Sequence, residues 1–313
     1  MNDGRYAIIY ITGSGRCGST LLESLLNHIT GFVTTGELTS IWQAWAENWK
    51  CGCGSPVTNC AFWSEVVKKA FGGFSAQDAR RLWLLQRLLD RPHYATALLA
   101  PGGARLLNAI IGGSDYWERL AALLRAACSA SGASIVVDSD KYPTHPVFLR
   151  KFARVSVIHL VRDPRAVFYS WQRKKVLRYK PGHLERPGLL RSALVWNIMN
   201  RAALKLERLF LKQYMLVRYE DMVNDPRTVL RRITELAGVR PTDINFLRNE
   251  SALLNPNHGI GGNPARLNTG SVQLVSDDEW KSKMEPIRRL LAGALCMPHM
   301  LKYGYTFYEP YIQ

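Results

Sequence analysis

No apolar stretch in the 313 residues runs uninterrupted for the ~20 residues of a membrane helix, and even residues 82–89 are broken by Gln86 and Arg87. The five residues before the first apolar run are too few and too polar for a signal peptide, so a cytoplasmic protein with no membrane span is expected. Acidic side chains are scarce too: 25 Asp+Glu stand against 41 Lys+Arg, a formal net charge of +16. Such a surplus suits an anionic small ligand, an acidic acceptor, nucleic acid or an anionic surface, and charge alone does not rank them. The densest basic run, Arg173, Lys174, Lys175, Arg178 and Lys180, reads as the solvated face of a helix. Internal repeats and low-complexity tracts are absent, and a single domain over residues 1–313 is expected.

Cysteine is sparse and uneven. Cys17, Cys128 and Cys296 stand alone, while Cys51, Cys53 and Cys60 form a tight group. A cytosolic chain does not sustain a disulfide framework, and three cysteines fall one ligand short of a structural zinc site. Reduced, packed thiols and no metal are the expectation.

What is present is ordinary globular composition, 47% apolar and 21% charged, with strand and helix signals in alternation. Residues 6–12, 134–138, 155–161 and 214–217 are short apolar runs suited to strands buried on both faces. Helical spacing of apolar residues recurs at 20–28, 116–129, 143–153, 166–175, 192–211 and 227–237. This alternation predicts an α/β fold, a three-layer P-loop-type parallel sheet flanked by helices. Residues 41–111 hold no strand run and read as a largely helical insertion after the first crossover, on the acceptor side of a site. Residues 255–271, rich in Asn, Gly and Pro, read as a long loop.

Between the first strand and its helix lie Gly13, Ser14, Gly15, Arg16, Cys17, Gly18, Ser19 and Thr20. Backbone N–H groups of such a loop, with the helix dipole behind them, hold an anion. The spacing is that of a nucleotide P-loop, but Ser19 stands where a kinase or NTPase needs a Lys for its β- and γ-phosphates. A P-loop kinase or NTPase is therefore the second reading, and a basic nucleic-acid binder, suggested by charge alone, the third; nucleic acid is not the expected partner.

A later segment, Arg162-Asp163-Pro164 with Ser170 eight residues beyond the Arg, closes a strand and opens a helix. Its Arg offers a forked pair of donors to a phosphate and its Ser a hydroxyl, while Asp163 and Pro164 suit a helix start. With these two segments the chain resembles the sulfotransferases that use 3′-phosphoadenosine 5′-phosphosulfate (PAPS), especially a bacterial branch related to the protein-tyrosine sulfotransferases. The resemblance implies that residues 13–20 hold the 5′-phosphosulfate, that Arg162 and Ser170 hold the 3′-phosphate, and that PAPS is released as PAP with no metal required. Arg16 then supplies mobile positive charge. Arg218-Tyr219-Glu220-Asp221-Met222 resembles a structural segment of the family, and residues 258–266 resemble a late Gly-Asn-x-x-Arg loop, which implies that Arg266, with Asn263, closes over the donor phosphates.

The family's position for the general base matches Glu37, in Gly36-Glu37-Leu38, and its Lys facing the transferring group matches Lys141. The implied reaction is sulfuryl transfer to an acceptor hydroxyl or amine on a glycan, lipid, tyrosine or secondary metabolite, because the donor motifs read only the donor. Asp140 puts a negative charge beside Lys141. His159, inside an apolar strand, reads as a satisfied core histidine, with His145 and His258 as secondary site candidates. Trp42, Trp45, Trp49 and Trp63 suit either an acceptor pocket or core packing.

Overall fold

The computed structural model describes residues 6–90, 92–239, 244–248 and 250–307; the polar segment 1–5 lies outside them. Its centre is a five-stranded parallel sheet of β1 (Ala7–Thr12), β2 (Phe32–Thr34), β3 (Ile135–Lys141), β4 (Arg154–Val161) and β5 (Tyr214–Arg218), in the order β2-β3-β1-β4-β5. The strands read as near-continuous apolar runs because both faces are covered. Along β1, Ile8 and Tyr10 enter one core layer while Ile9 and Ile11 enter the other. Each fully buried aliphatic side chain contributes about 1.5–3 kcal/mol.

The helices follow as α1 (Ser19–Leu26), α2 (Ile41–Glu47), α3 (Ala61–Phe71), α4 (Ala76–Leu89), α5 (Pro92–Ala97), α6 (Gly103–Ile111), α7 (Asp115–Ser131), α8 (His145–Leu149), α9 (Pro164–Gln172), α10 (Leu189–Phe210), α11 (Tyr219–Asn224), α12 (Pro226–Ala237), α13 (Glu279–Lys283) and α14 (Pro286–Lys302). Leu22, Leu25 and Leu26 of α1 and Leu230 and Ile233 of α12 pack on one face of the sheet. Leu120, Leu123 and Leu124 of α7, with Ala202 and Leu206 of α10, cover the other. The expected three-layer α/β architecture is present, and α2 to α6 form the helical insertion.

Three differences from the sequence reading have local causes. β2 has only three residues, too short for any periodicity, and is recruited by pairing with β3. A second sheet of β6 (Leu247–Arg248), β7 (Ser251–Leu254) and β8 (Gly270–Gln273) closes antiparallel around the long loop. The helix expected to reach residue 175 ends at Gln172, because Arg173 turns to extended backbone and pairs with Asp277 at 2.7 Å and Glu279 at 2.8 Å. The basic run is therefore not a helix face.

The chain leaves β1 for β2 and β3 on one side and for β4 and β5 on the other. That reversal opens a crevice at the carboxyl ends of the strands, where ligands of open α/β sheets bind.

Candidate active site

The crevice is a cleft of about 390 Å³. Gly15, Arg16, Gly18, Ser19 and Thr20 line it, at the turn from β1 into α1. The first N–H groups of α1 have no partner within the helix, so they are available to an anion. Gly13, Ser14 and Cys17 lie beneath this lining, Ser14 at 1% and Cys17 at 0% exposure, and shape the turn from behind.

Arg16 holds a left-handed backbone (φ 68), which costs a non-glycine residue about 1 kcal/mol or more and is a feature of functional turns. Its guanidinium lies 4.8 Å from the Trp171 ring, and its Nε and Nη2 have no protein partner. Arg162, in the wall that follows β4, stacks 4.3 Å over Tyr219 and donates to the Arg16 carbonyl at 3.4 Å. Its Nη2 meets the Asp277 carboxylate at 3.2 Å. Burial works against the Asp277 charge, but Arg162 and Arg173 outweigh it and hold this carboxyl below its usual range. Ser170 of α9 lines the same wall, and Asp163 caps that helix by accepting the Arg165 N–H at 2.8 Å.

Glu37 and Lys141 meet in the cleft as an ion pair, with the Lys141 side chain 13% exposed and that of Glu37 29% exposed. Lys141 ends β3 in a left-handed turn (φ 70), and its Nζ also donates to the Ser139 carbonyl at 3.0 Å. Burial disfavours its ammonium, yet the adjacent Glu37 carboxylate outweighs that and raises its pKa. The backbone of Glu37 is fixed by donation to the Ile260 carbonyl at 2.9 Å, so the late loop positions this residue. Asp140 faces away, accepting from the Thr39 N–H at 3.0 Å and its hydroxyl at 2.7 Å. Its carboxylate is thus bonded inside the fold and does not line the cleft.

Asn263 lines the cleft, its Oδ1 accepting the Ala265 N–H at 3.1 Å. Arg266 does not. It is 4% exposed and pairs at 3.4 Å with Glu23, itself 3% exposed. Glu23 also accepts the Gly36 N–H and, at 3.0 Å, the Ser139 hydroxyl. Gly36 (φ 83) must be glycine here, since a Cβ would collide with the Arg266 guanidinium and the Ile260 backbone. In this structure Arg266 thus braces the wall that carries Glu37 instead of facing the cleft. Glu23 sits one turn inside an amphipathic helix, and nothing in its spacing marked it.

The basic run adds Lys175 and Tyr179 to the lining. Burial, then the neighbouring Arg16 and Arg173, lower the Lys175 pKa, the mark of crowded positive charge. Trp171 also lines the cleft. The four tryptophans weighed from the sequence do not: Trp42 and Trp63 are fully buried, Trp45 packs edge-on against Phe74, and Trp49 lies under Lys180. His159 bonds Tyr214 at 2.7 Å and Asn200 at 3.0 Å, and burial pushes it down to about 4, a core histidine as read from the sequence.

His145 is also outside the cleft, buried against Asp90 at 2.6 Å, Asp140 at 3.9 Å and the Tyr142 ring. Burial opposes its imidazolium, but Asp90 outweighs this and raises its pKa. A raised folded value means the pair's stabilisation is complete below the ordinary histidine value of about 6.5 and is lost as pH rises through the raised one. Asp140, pushed up to about 6 by burial, titrates in a lower window. The melting temperature is expected to fall as pH rises above about 6.5. Equal slopes for wild type and His145→Gln in that range would refute the assignment.

The same fold occurs in the sulfotransferase domain of the Synechococcus PCC 7002 olefin synthase, at 22% identity, 94% coverage of each chain and a TM-score of 0.53. It also occurs in the sulfotransferase domain from the curacin biosynthetic pathway, at 17% identity, covering 96% of this chain and 98% of that one, with a TM-score of 0.55. No curated protein matches the chain. The family model described as "Sulfotransferase family" matches residues 8–243, a span that takes in the β1–α1 turn, Glu37, Lys141 and the Arg162 to Ser170 segment; the chain belongs to the sulfotransferase family.

Proposed function

We propose that this sulfotransferase takes its sulfuryl group from PAPS and passes it to an acceptor hydroxyl or amine, with Glu37 as general base. The observation that carries the reading is the Glu37–Lys141 pair, set in one cleft with the β1–α1 turn and with Arg162 and Ser170. Arg16, Lys141, Arg162 and Lys175 give that cleft the positive charge needed by a donor with two anionic groups, a 5′-phosphosulfate and a 3′-phosphate. The unpartnered donor atoms of Arg16 suit the 5′-phosphosulfate, and Arg162 suits the 3′-phosphate, which would displace Asp277 from it.

In the reaction the acceptor oxygen or nitrogen attacks sulfur in line, and its proton passes to the Glu37 carboxylate. The new bond to sulfur forms as the bond from sulfur to the 5′-phosphate oxygen breaks. PAP leaves carrying that electron pair, and Lys141 and Arg16 stabilise the growing charge on the phosphate oxygen. Lys141 must then exchange its contact with Glu37 for the leaving oxygen, which frees Glu37 to act as the base.

Calorimetric titration with PAP, paired with transfer from labelled PAPS to a panel of alcohols, phenols, amines and glycans, tests this. Saturable PAP binding that Arg162→Ala weakens about 10- to 100-fold is expected, the loss of one charge-assisted contact of ~1.5–3 kcal/mol. Absence of both PAP binding and PAP release would sink the proposal.

A further inference from the structure

The group of three cysteines read from the sequence gains a fourth member in three dimensions. His258 arrives from the late loop, and its Nδ1 lies 3.4 Å from the Cys60 sulfur and 3.7 Å from that of Cys51. Cys60 lies 3.7 Å from both Cys51 and Cys53, and all four donor atoms fall within 4.8 Å of one another. In tetrahedral zinc, bonds of ~2.3 Å to sulfur and ~2.0–2.1 Å to nitrogen put neighbouring donors roughly 3.5–3.8 Å apart. Three of the six donor pairs already have that spacing, and a fourth, Cys60 to His258 at 3.4 Å, is just short of it. Cys51, Cys53 and Cys60 are all free thiols, so no disulfide competes for the sulfurs.

We propose that Cys51, Cys53, Cys60 and His258 form a structural zinc site. Three thiolates and an imidazole in a tetrahedron select zinc among the common divalent ions, and four protein ligands leave no open position for catalysis.

The surroundings are built to hold such a set. The Cys51 N–H donates to the Ser55 carbonyl at 2.8 Å and the Gly54 N–H to the Cys51 carbonyl at 2.9 Å, a tight turn that brings Cys51 and Cys53 to one side. Cys60 is the N-cap residue of α3, where the helix dipole favours a thiolate. Phe62 stacks on the His258 ring at 4.6 Å, and Trp63 Nε1 donates to the His258 carbonyl at 2.7 Å. Such outer contacts orient a ligating imidazole. Gly52 donates to the Gly259 carbonyl at 3.1 Å, and a Cβ at Gly52 would come within 2.5 Å of Asn257 Oδ1. The two segments are thereby locked side by side.

The site would staple the start of the helical insertion to the late loop, residues about 200 apart in sequence. That loop donates the Ile260 N–H to Thr35 at 2.9 Å, accepts the Glu37 N–H, and continues to Asn263 in the cleft. A metal here preorganises the wall that carries Glu37 while taking no part in the chemistry. Metal binding to ligands that only the folded chain brings together adds its free energy to folding.

Elemental analysis of the full chain, purified without chelator, is expected to find close to one zinc per chain. Replacement by cobalt should give thiolate charge-transfer and tetrahedral d–d bands, and chelation should lower the melting temperature. Cys60→Ser and His258→Ala should each lose the metal, whereas Cys128→Ser, at a buried cysteine outside the cluster, should keep it. Wild-type protein with less than about a tenth of an equivalent of metal, or an intact mass two hydrogens light from a disulfide, would overturn the proposal. Both readouts use the wild type, so they decide the matter even where a variant fails to fold. Neither involves PAPS, so failure here is separable from failure of the PAPS reading.

Discussion

Glu37→Gln is expected to lower kcat for sulfuryl transfer by about 10²–10⁴-fold while PAP affinity stays within a few-fold, as loss of a positioned general base does. Glutamine keeps the size of the side chain and an oxygen that can still accept from Lys141. Its backbone anchor to Ile260 is untouched. What it cannot do is take a proton from the acceptor. The groups proposed to bind the donor, Arg16, the β1–α1 turn and Arg162, belong to other elements, so binding and chemistry should separate cleanly in rapid-quench and calorimetric measurements. A fully active Glu37→Gln enzyme would remove the base assignment and leave the family untouched. Equal losses in kcat and PAP affinity would instead point to a collapsed cleft.

Arg266→Met should lower stability toward denaturant by about 3–5 kcal/mol, the cost of breaking one partner from a buried ion pair. The stranded group is Glu23, 3% exposed, whose carboxylate also serves Gly36 and Ser139. Against a total stability of about 5–15 kcal/mol that is a large fraction. The double variant Glu23→Leu, Arg266→Met removes both charges and should recover part of the loss, since an apolar pair can replace a buried salt bridge. The resemblance implies a different result: unchanged stability and weakened PAP binding, with Arg266 on the donor phosphates. Urea unfolding alongside PAP titration tells the two apart, and the second pattern would overturn the bracing role.

The legible parts of this protein are the contiguous ones. A strand, a glycine-rich turn and a helix start are set by neighbouring residues, so residues 13–20 and the Arg162 to Ser170 segment could be read directly, as could the parallel sheet implied by apolar runs alternating with helical spacing. Lys175 was missed because helical periodicity cannot say where a helix stops: the Asp277 and Glu279 carboxylates that pair with Arg173, in extended backbone, are about a hundred residues away. The aromatic spacing at Trp42, Trp45 and Trp49 was compatible with a pocket or a core, and only the packing of Phe71, Phe74 and Tyr116 around Trp42 selected the core.

The sequence by itself determined the α/β architecture, the glycine-rich turn between β1 and α1, and the family. Tertiary structure alone decided that Arg266 turns inward to Glu23, that Asp140 turns away from the cleft, and that His258 joins Cys51, Cys53 and Cys60. The physical reason is range: backbone turns and apolar periodicity act between residues a few positions apart, whereas a buried charge or a metal ligand finds its partner wherever folding brings one.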